Sequence, residues 1–301
     1  MPHRSALFAA FLLCLAGAAS AETVHSLDQV PGHLGTPEAR AAFATQIEGK
    51  PAPDLLGVRS LPPGLPAAAI AGMLVPPADH AAPRLVGARH WRDDLYVAIV
   101  CTGGPPLAAG DTPDCASYDP AAALHVYLGV IALAPGAAPR LVAASGAWDT
   151  AMGWDDTLLP RAPAAADDAD GKLAAPPSFD GFDLAPYRIA PGVPAFGLRC
   201  GWQEGYSGGS ASFTGLYLFA IDGTRLRRVL AAPMSAFADI AGDWHKDGTR
   251  DHDITDAANL LIVSPRQTGG HFNLMLRLRG GHGQQLYRWS AAGGYRLATK
   301  P

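Results

Sequence analysis

The sequence predicts a mainly β protein, an antiparallel meander of propeller-like or sandwich architecture with a short N-terminal helix. Three observations carry the prediction. Glycine and proline supply 34 and 27 of the 301 residues, about a fifth of the chain against roughly 12% on average, and helix interiors tolerate both poorly. From Leu85 onward, apolar segments rich in β-branched and aromatic residues recur between turn formers: "DLYVAIVC", "LHVYLGVIALA" and "TGLYLFAI". The last of the apolar segments follow one another too closely to leave room for crossover helices, which disfavours a parallel α/β sheet.

Taken in order, residues 1–21 read as a cleaved export signal. Arg4 supplies a positive charge, Ala6 to Ala16 form a short apolar run, and Ala19-Ser20-Ala21 offers small residues for cleavage. The run falls short of the roughly 18 residues a spanning helix needs, and nothing later is longer, so no membrane span is expected. Residues 22–84 read as a helical arm followed by an irregular linker. Thr36 is a helix N-cap before Pro37, and the helix runs to Gly49 with Ala39, Phe43 and Ile47 roughly aligned. Beyond it, residues 50–84 are Pro/Ala/Leu-rich without a sustained period.

Residues 85–301 form the antiparallel β domain. Its clearest alternation is "HFNLMLRLRGG", with Phe272, Leu274, Leu276 and Leu278 on one face and Asn273, Arg277 and Arg279 on the other. A degenerate repeat of strand, glycine turn, basic residue and strand appears at 126–145, 216–233 and, shortened, at 286–298, which suits propeller blades or stacked hairpins. Residues 160–181, acidic and Pro/Ala-rich, are expected to be a mobile surface loop.

An exported chain can oxidise its thiols. Cys101 and Cys115 flank "TGGPPLAAGDTPD", a segment of turn formers and small residues, so a bridge between them is expected, worth about 3 kcal/mol for a loop of that length. Cys200 shares a strand face with Phe196, Leu198 and Trp202, which reads as a buried, inert thiol. A formal net charge of −4 gives no electrostatic footprint for nucleic acid or an anionic membrane.

Two stretches stand out as places for chemistry. "DWHKDGTRDHD", 243–253, sets Asp243, His245, Asp247, Gly248 and Asp251 at the first, third, fifth, sixth and ninth positions of a calcium-loop spacing, with Asp253 or Asp256 available as a further acid. Over about ten residues it resembles the calcium loops of FG-GAP-type β-propeller blades and of dockerins, and that resemblance implies a calcium-stabilised loop. His245 stands where an oxygen ligand belongs, and Ile254 where an EF-hand places its glutamate. Calcium, a softer metal such as Zn²⁺, and a metal-free polar turn built on Asp247-Gly248 all remain open.

The second stretch, "GYSGG" at 205–209, matches G-x-S-x-G and makes Ser207 a candidate nucleophile, with acids and histidines such as Asp239 and His271 later in the chain. A strand is expected after the serine, however, where a hydrolase elbow needs a helix. Trp202 and Tyr206 beside this loop, and Trp148 and Trp154 in "AWDTAMGWDD", are either a contact surface for a protein or glycan or core residues at a sheet end.

These readings converge on a periplasmic or secreted protein of a bacterial-type envelope. They read as a non-catalytic binding module in preference to an enzyme, with its function on the loops 201–214 and 243–256. An inhibitor or immunity protein acting on an envelope hydrolase is the sharper form of that expectation, and serine hydrolysis through Ser207 is the enzymatic alternative.

Overall fold

The computed structural model describes residues 27–33, 43–45, 47–108, 112–119, 121–164, 173–248, 250–290 and 292–298. The expected signal segment 1–21 and most of the helix expected from Thr36 lie outside them. The chain divides into two compact units at Pro53. In the first, a 3₁₀ turn at Leu27–Gln29 leads into a one-turn helix, α1, Val30–His33. Residues 43–45 are helical, and the Ile47 and Glu48 N–H groups both donate to Phe43 O, at 2.9 and 3.2 Å. Gly49 then turns the chain at φ +66°.

The second unit opens on Asp54, whose carboxylate accepts the Val58 and Arg59 N–H groups at 2.8 and 2.9 Å. The region expected to be an irregular linker contains a helix, α2, Ala67–Leu74. Its buried anchors, Ile70 and Leu74, stand four residues apart on one face and pack on Ala98, Val100, Tyr127 and Ile131. Two anchors in eight residues are too few to register as a sequence period, yet burying each is worth about 1.5–3 kcal/mol.

The strands are β1 Pro83–Arg92, β2 Leu95–Gly103, β3 Leu124–Ala132, β4 Arg140–Ala144, β5 Met152–Gly153, β6 Leu173–Ala174, β7 Ser178–Ala190, β8 Val193–Tyr206, β9 Gly209–Asp222, β10 Arg225–Trp244, β11 Arg250–Thr268, β12 His271–Leu278, β13 Gln284–Trp289 and β14 Tyr295–Leu297. Twelve of them make one sheet, while β5 and β6 pair apart from it. From β1 to β4 and from β7 to β14 each strand lies antiparallel to its neighbour in sequence, which is the predicted meander. The two runs join where Ala144 of β4 meets Arg225 of β10 in parallel.

Strand alternation sorts the side chains into stacked cores. Val97, Ile99, Val126 and Leu128 from the first run face Phe196, Leu198, Phe213, Tyr217 and Phe219 from the second. The opposite faces of β8–β10 present Ala195, Leu216, Leu218 and Ala232 to Leu274, Leu276 and Tyr295 of the C-terminal strands. The second unit is therefore a helix and three layers of the one folded sheet, with a core between each neighbouring pair. The three repeat copies are the hairpins β3–β4, β9–β10 and β13–β14, one in each layer, turning at Gly136, Gly223 and Gly293, all with positive φ. They are stacked rather than radial.

Two features tie neighbouring layers together. Leu55 O accepts the Phe182 N–H of β7 at 3.0 Å, and Gly57 O accepts the Ala88 N–H of β1 at 3.2 Å. Residues 55–57 thus form a seam between the edges of two strands. A Cβ on Gly57 would meet Ala88 O at 2.0 Å, and one on Gly87 would meet Leu56 O at 2.4 Å, so the seam depends on glycine. The second lock is Asp79, just after α2. Its carboxylate accepts the Thr102 hydroxyl at 2.7 Å, the Tyr127 hydroxyl at 2.8 Å and the Ala81 N–H at 3.0 Å, with His125 Nδ1 3.5 Å away. The Thr102 bond, helped by those from Ala81, Tyr127 and His125, outweighs burial and holds the Asp79 carboxyl well below the usual carboxylate range. Burial and the bond to Asp79 push Tyr127 up to about 12.

The expected disulfide is present: Cys101 and Cys115 are bonded across a Cα separation of 5.7 Å, and both are buried. Among the described residues Cys200 is the free cysteine, and it is fully buried, with its thiol pushed up by burial first. Of the expected mobile loop 160–181, residues 165–172 lie outside the described residues, while regular structure already resumes at Leu173 and Ser178 as β6 and β7. Asn273, expected on the solvent face of β12, is buried beside Leu274.

Candidate functional site

The two stretches singled out in the sequence lie side by side. Strands β8 and β9 close on the turn Ser207-Gly208, with Tyr206 opposite Gly209, and β10 and β11 close on a turn that starts at His245, with Trp244 opposite Arg250. Because β9 pairs with β10 as far as Gly209 opposite Ile240, the two hairpin tips share one end of the central layer. Gly208 O accepts the Ala241 N–H at 3.1 Å. A Cβ on Gly208, whose φ is +88°, would meet the Arg250 guanidinium at 2.7 Å. Arg250 thus reaches from one tip to the other, donating through Nε to Gly242 O at 2.9 Å and lying over the Trp244 ring at 5.3 Å.

The side chains of this end are unusual for paired strands. Trp244 is 69% exposed, Ile254 63%, Tyr206 45% and Phe237 40%. Phe237 pairs with Asp256, and Ile254 with Asp239, so these two apolar residues are diagonal neighbours on one face of the sheet. The other face carries Tyr206, whose hydroxyl donates to Glu204 Oε2, a bond that with burial raises the phenol above its ordinary value. The other oxygen of Glu204 accepts the Ala164 N–H at 2.5 Å, so this carboxylate is engaged at both atoms. Beside it runs a mostly apolar groove of about 560 Å³, lined by Tyr118, Pro176, Pro177, Phe179 and Trp202.

The electrostatics are concentrated here as well. Residues 237–256 hold six aspartates against Lys246 and Arg250, a local balance of −4 that equals the formal charge of the whole chain. His245 Nε2 and Asp251 Oδ1 are hydrogen-bonded at 2.8 Å. Asp243 lies at the end of β10, Asp247 in the turn, and Asp251 and Asp253 on β11, with Asp253 opposite Ile240. A calcium loop needs alternate side chains turned inward on one ion. Here the strands run on to Trp244 and Arg250, and the histidine takes one aspartate for itself. Among the described residues no three His, Cys, Asp or Glu side chains converge as a metal group.

Ser207 sits in the hairpin tip and is followed by β9, the strand-turn-strand context that a nucleophile elbow lacks. Trp202 is only 3% exposed. It packs edge-on against Trp154 at 5.2 Å, so of the two proposed contact aromatics Tyr206 alone is at the surface. Trp148 and Trp154 are core residues too. Trp148 meets Tyr217 and Phe219 edge-on at 5.0 and 5.1 Å and donates through Nε1 to Val126 O at 2.9 Å. Reading the sequence missed Trp244, Arg250, Phe237 and Ile254. Strand alternation at "SAFADIAG" did separate Ala236 and Ala238 from Phe237, but a large apolar residue is ordinarily assigned to the inner face, and here the alanines point inward.

Comparison with known protein families, with curated proteins and with solved structures finds no match for this chain.

Proposed function

We propose that this protein is a non-catalytic interaction module whose working surface is the joined tips of β8–β9 and β10–β11. One observation carries the reading: large apolar side chains are held exposed on regular, paired strands, with an arginine bridging the tips. Exposed apolar patches rimmed by charge mark interaction sites, and Trp, Tyr and Arg are the residues that dominate binding energy at them. The backbone beneath is a rigid ladder, so little conformational entropy is lost on docking. The acidic balance favours a partner with a basic surface.

The test compares capture from extracts of the native cells by the wild-type protein and by a Tyr206→Ala/Trp244→Ala variant. Both positions are exposed, so the variant should keep the wild-type circular dichroism and melting temperature. A partner retained by the wild type and lost by the variant supports the reading; equal capture by both would show that the tips are not the working surface.

A further inference from the structure

Strand β11 has two halves with different surroundings. Arg250–Ala258 pairs with β10, and only from Asn259 onward does β12 pair along its other side. The Arg279 N–H, which donates to Ala258 O at 2.8 Å, marks where that cover begins. Among the described residues no strand lies along the outer side of 250–257. This stretch is a sheet edge about 25 Å long at the usual rise per residue, with alternate N–H and C=O groups directed outward.

We propose that this edge is a docking strand that takes an extended, basic segment of a partner protein by strand addition. The inference rests on the interaction reading above and gives it a geometry. Main-chain hydrogen bonds along an exposed edge supply affinity, and alternate side chains supply specificity. Asp251 and Asp253 lie on one face of the strand, and Ile254 and Asp256 on the other. An incoming strand therefore meets carboxylates on both faces, plus an exposed apolar patch at Ile254 and Phe237. A second copy of this chain is a poor occupant. It would set one aspartate-rich edge against another, and like charges directly opposite are destabilising. The same charges discourage chance pairing with neutral strands, which leaves a lysine- or arginine-bearing strand as the complementary occupant.

The probe is a synthetic peptide about nine residues long, alternating lysine and valine, added to the full chain. Its control is the same peptide with every backbone nitrogen methylated, which keeps the charge but removes the N–H donors of both edges. Binding is followed by fluorescence anisotropy, and its location by amide hydrogen exchange. The expected result is slowed exchange over 250–257 on binding. Backbone methylation and, separately, an Asp251→Lys/Asp253→Lys variant should each weaken binding on the order of tenfold or more. Equal binding by the methylated peptide, slowed exchange elsewhere, or no binding would overturn strand addition. Because methylation alters only the peptide, that arm is free of any folding defect in the protein. If the Tyr206→Ala/Trp244→Ala protein loses its cellular partner while the edge variant keeps it, the interaction reading stands and strand addition falls.

Discussion

Replacing Asp79 with alanine is expected to cost about 3 kcal/mol at neutral pH. The carboxylate holds two buried hydroxyls, Thr102 at 2.7 Å and Tyr127 at 2.8 Å. A hydrogen bond to a charged group is worth about 1.5–3 kcal/mol, and removing the acceptor leaves the donor unsatisfied. The two bonds share one oxygen and are not additive, which sets the figure at the lower end of their sum. At roughly 2–4 °C per kcal/mol for a unit of this size, the melting temperature should fall by about 10 °C. The pH dependence follows from the sign of the shift. A carboxyl held below its ordinary value contributes stability that is complete above the unfolded-state value, near 3.9, and is lost as pH falls from there through the folded-state value. The gap between wild type and variant should therefore be flat from about pH 7 to 5 and narrow below about pH 4. Urea unfolding at several pH values reads both quantities, and Asp79→Asn, which keeps an acceptor oxygen, should fall between the two. A cost under about 0.5 kcal/mol, or a gap that does not change in acid, would refute the view of Asp79 as an ionised clamp.

Three further outcomes are expected. Reducing the Cys101–Cys115 bond, or replacing both cysteines with serine, should cost about 3 kcal/mol, read as a lower midpoint in calorimetry with and without reductant; an unchanged midpoint would mean the loop 102–114 is held without it. The Cys200 thiol should resist a thiol-titrating reagent at about pH 8 in the native protein and react stoichiometrically in denaturant; rapid native labelling would contradict its burial. Millimolar calcium, or EDTA, should leave the melting temperature unchanged, because His245 and Asp251 bind each other; a clear rise with calcium would restore residues 243–253 as a metal loop.

Much of the fold is legible residue by residue. The runs read as strands from their composition are β2, β3, β9 and β12, each within a few residues of its observed bounds. The disulfide follows from a loop that has no core of its own. Elements that depend on tertiary partners were invisible. Helix α2 exists because Ile70 and Leu74 find a sheet face to cover. Strand β11 runs through Pro265 because a register shift between Val263 and Gln267 absorbs the proline. In the aspartate cluster Asp247 and Gly248 do lie in the turn between β10 and β11, while Asp253, also a turn former, is held in β11 opposite Ile240. For the candidate site, both tips were identified and their adjacency was not. Nothing in either stretch signals that β9 and β10 carry them to the same end.

The seam at residues 55–57 bears on the order in which the molecule assembles. It is the only described hydrogen-bonded link between the edges of β1 and β7, and it joins Leu55 to Phe182, more than a hundred positions apart in the chain. The Gly57–Ala88 bond needs only β1, but the Leu55–Phe182 bond also needs β7, so the seam is complete only once both strands are in place. Most pairings elsewhere in the sheet are between sequence neighbours and pay little loop entropy. Closure of the first core is thus a late folding step, and the tripeptide that completes it acts as a latch on a structure the meander has already built.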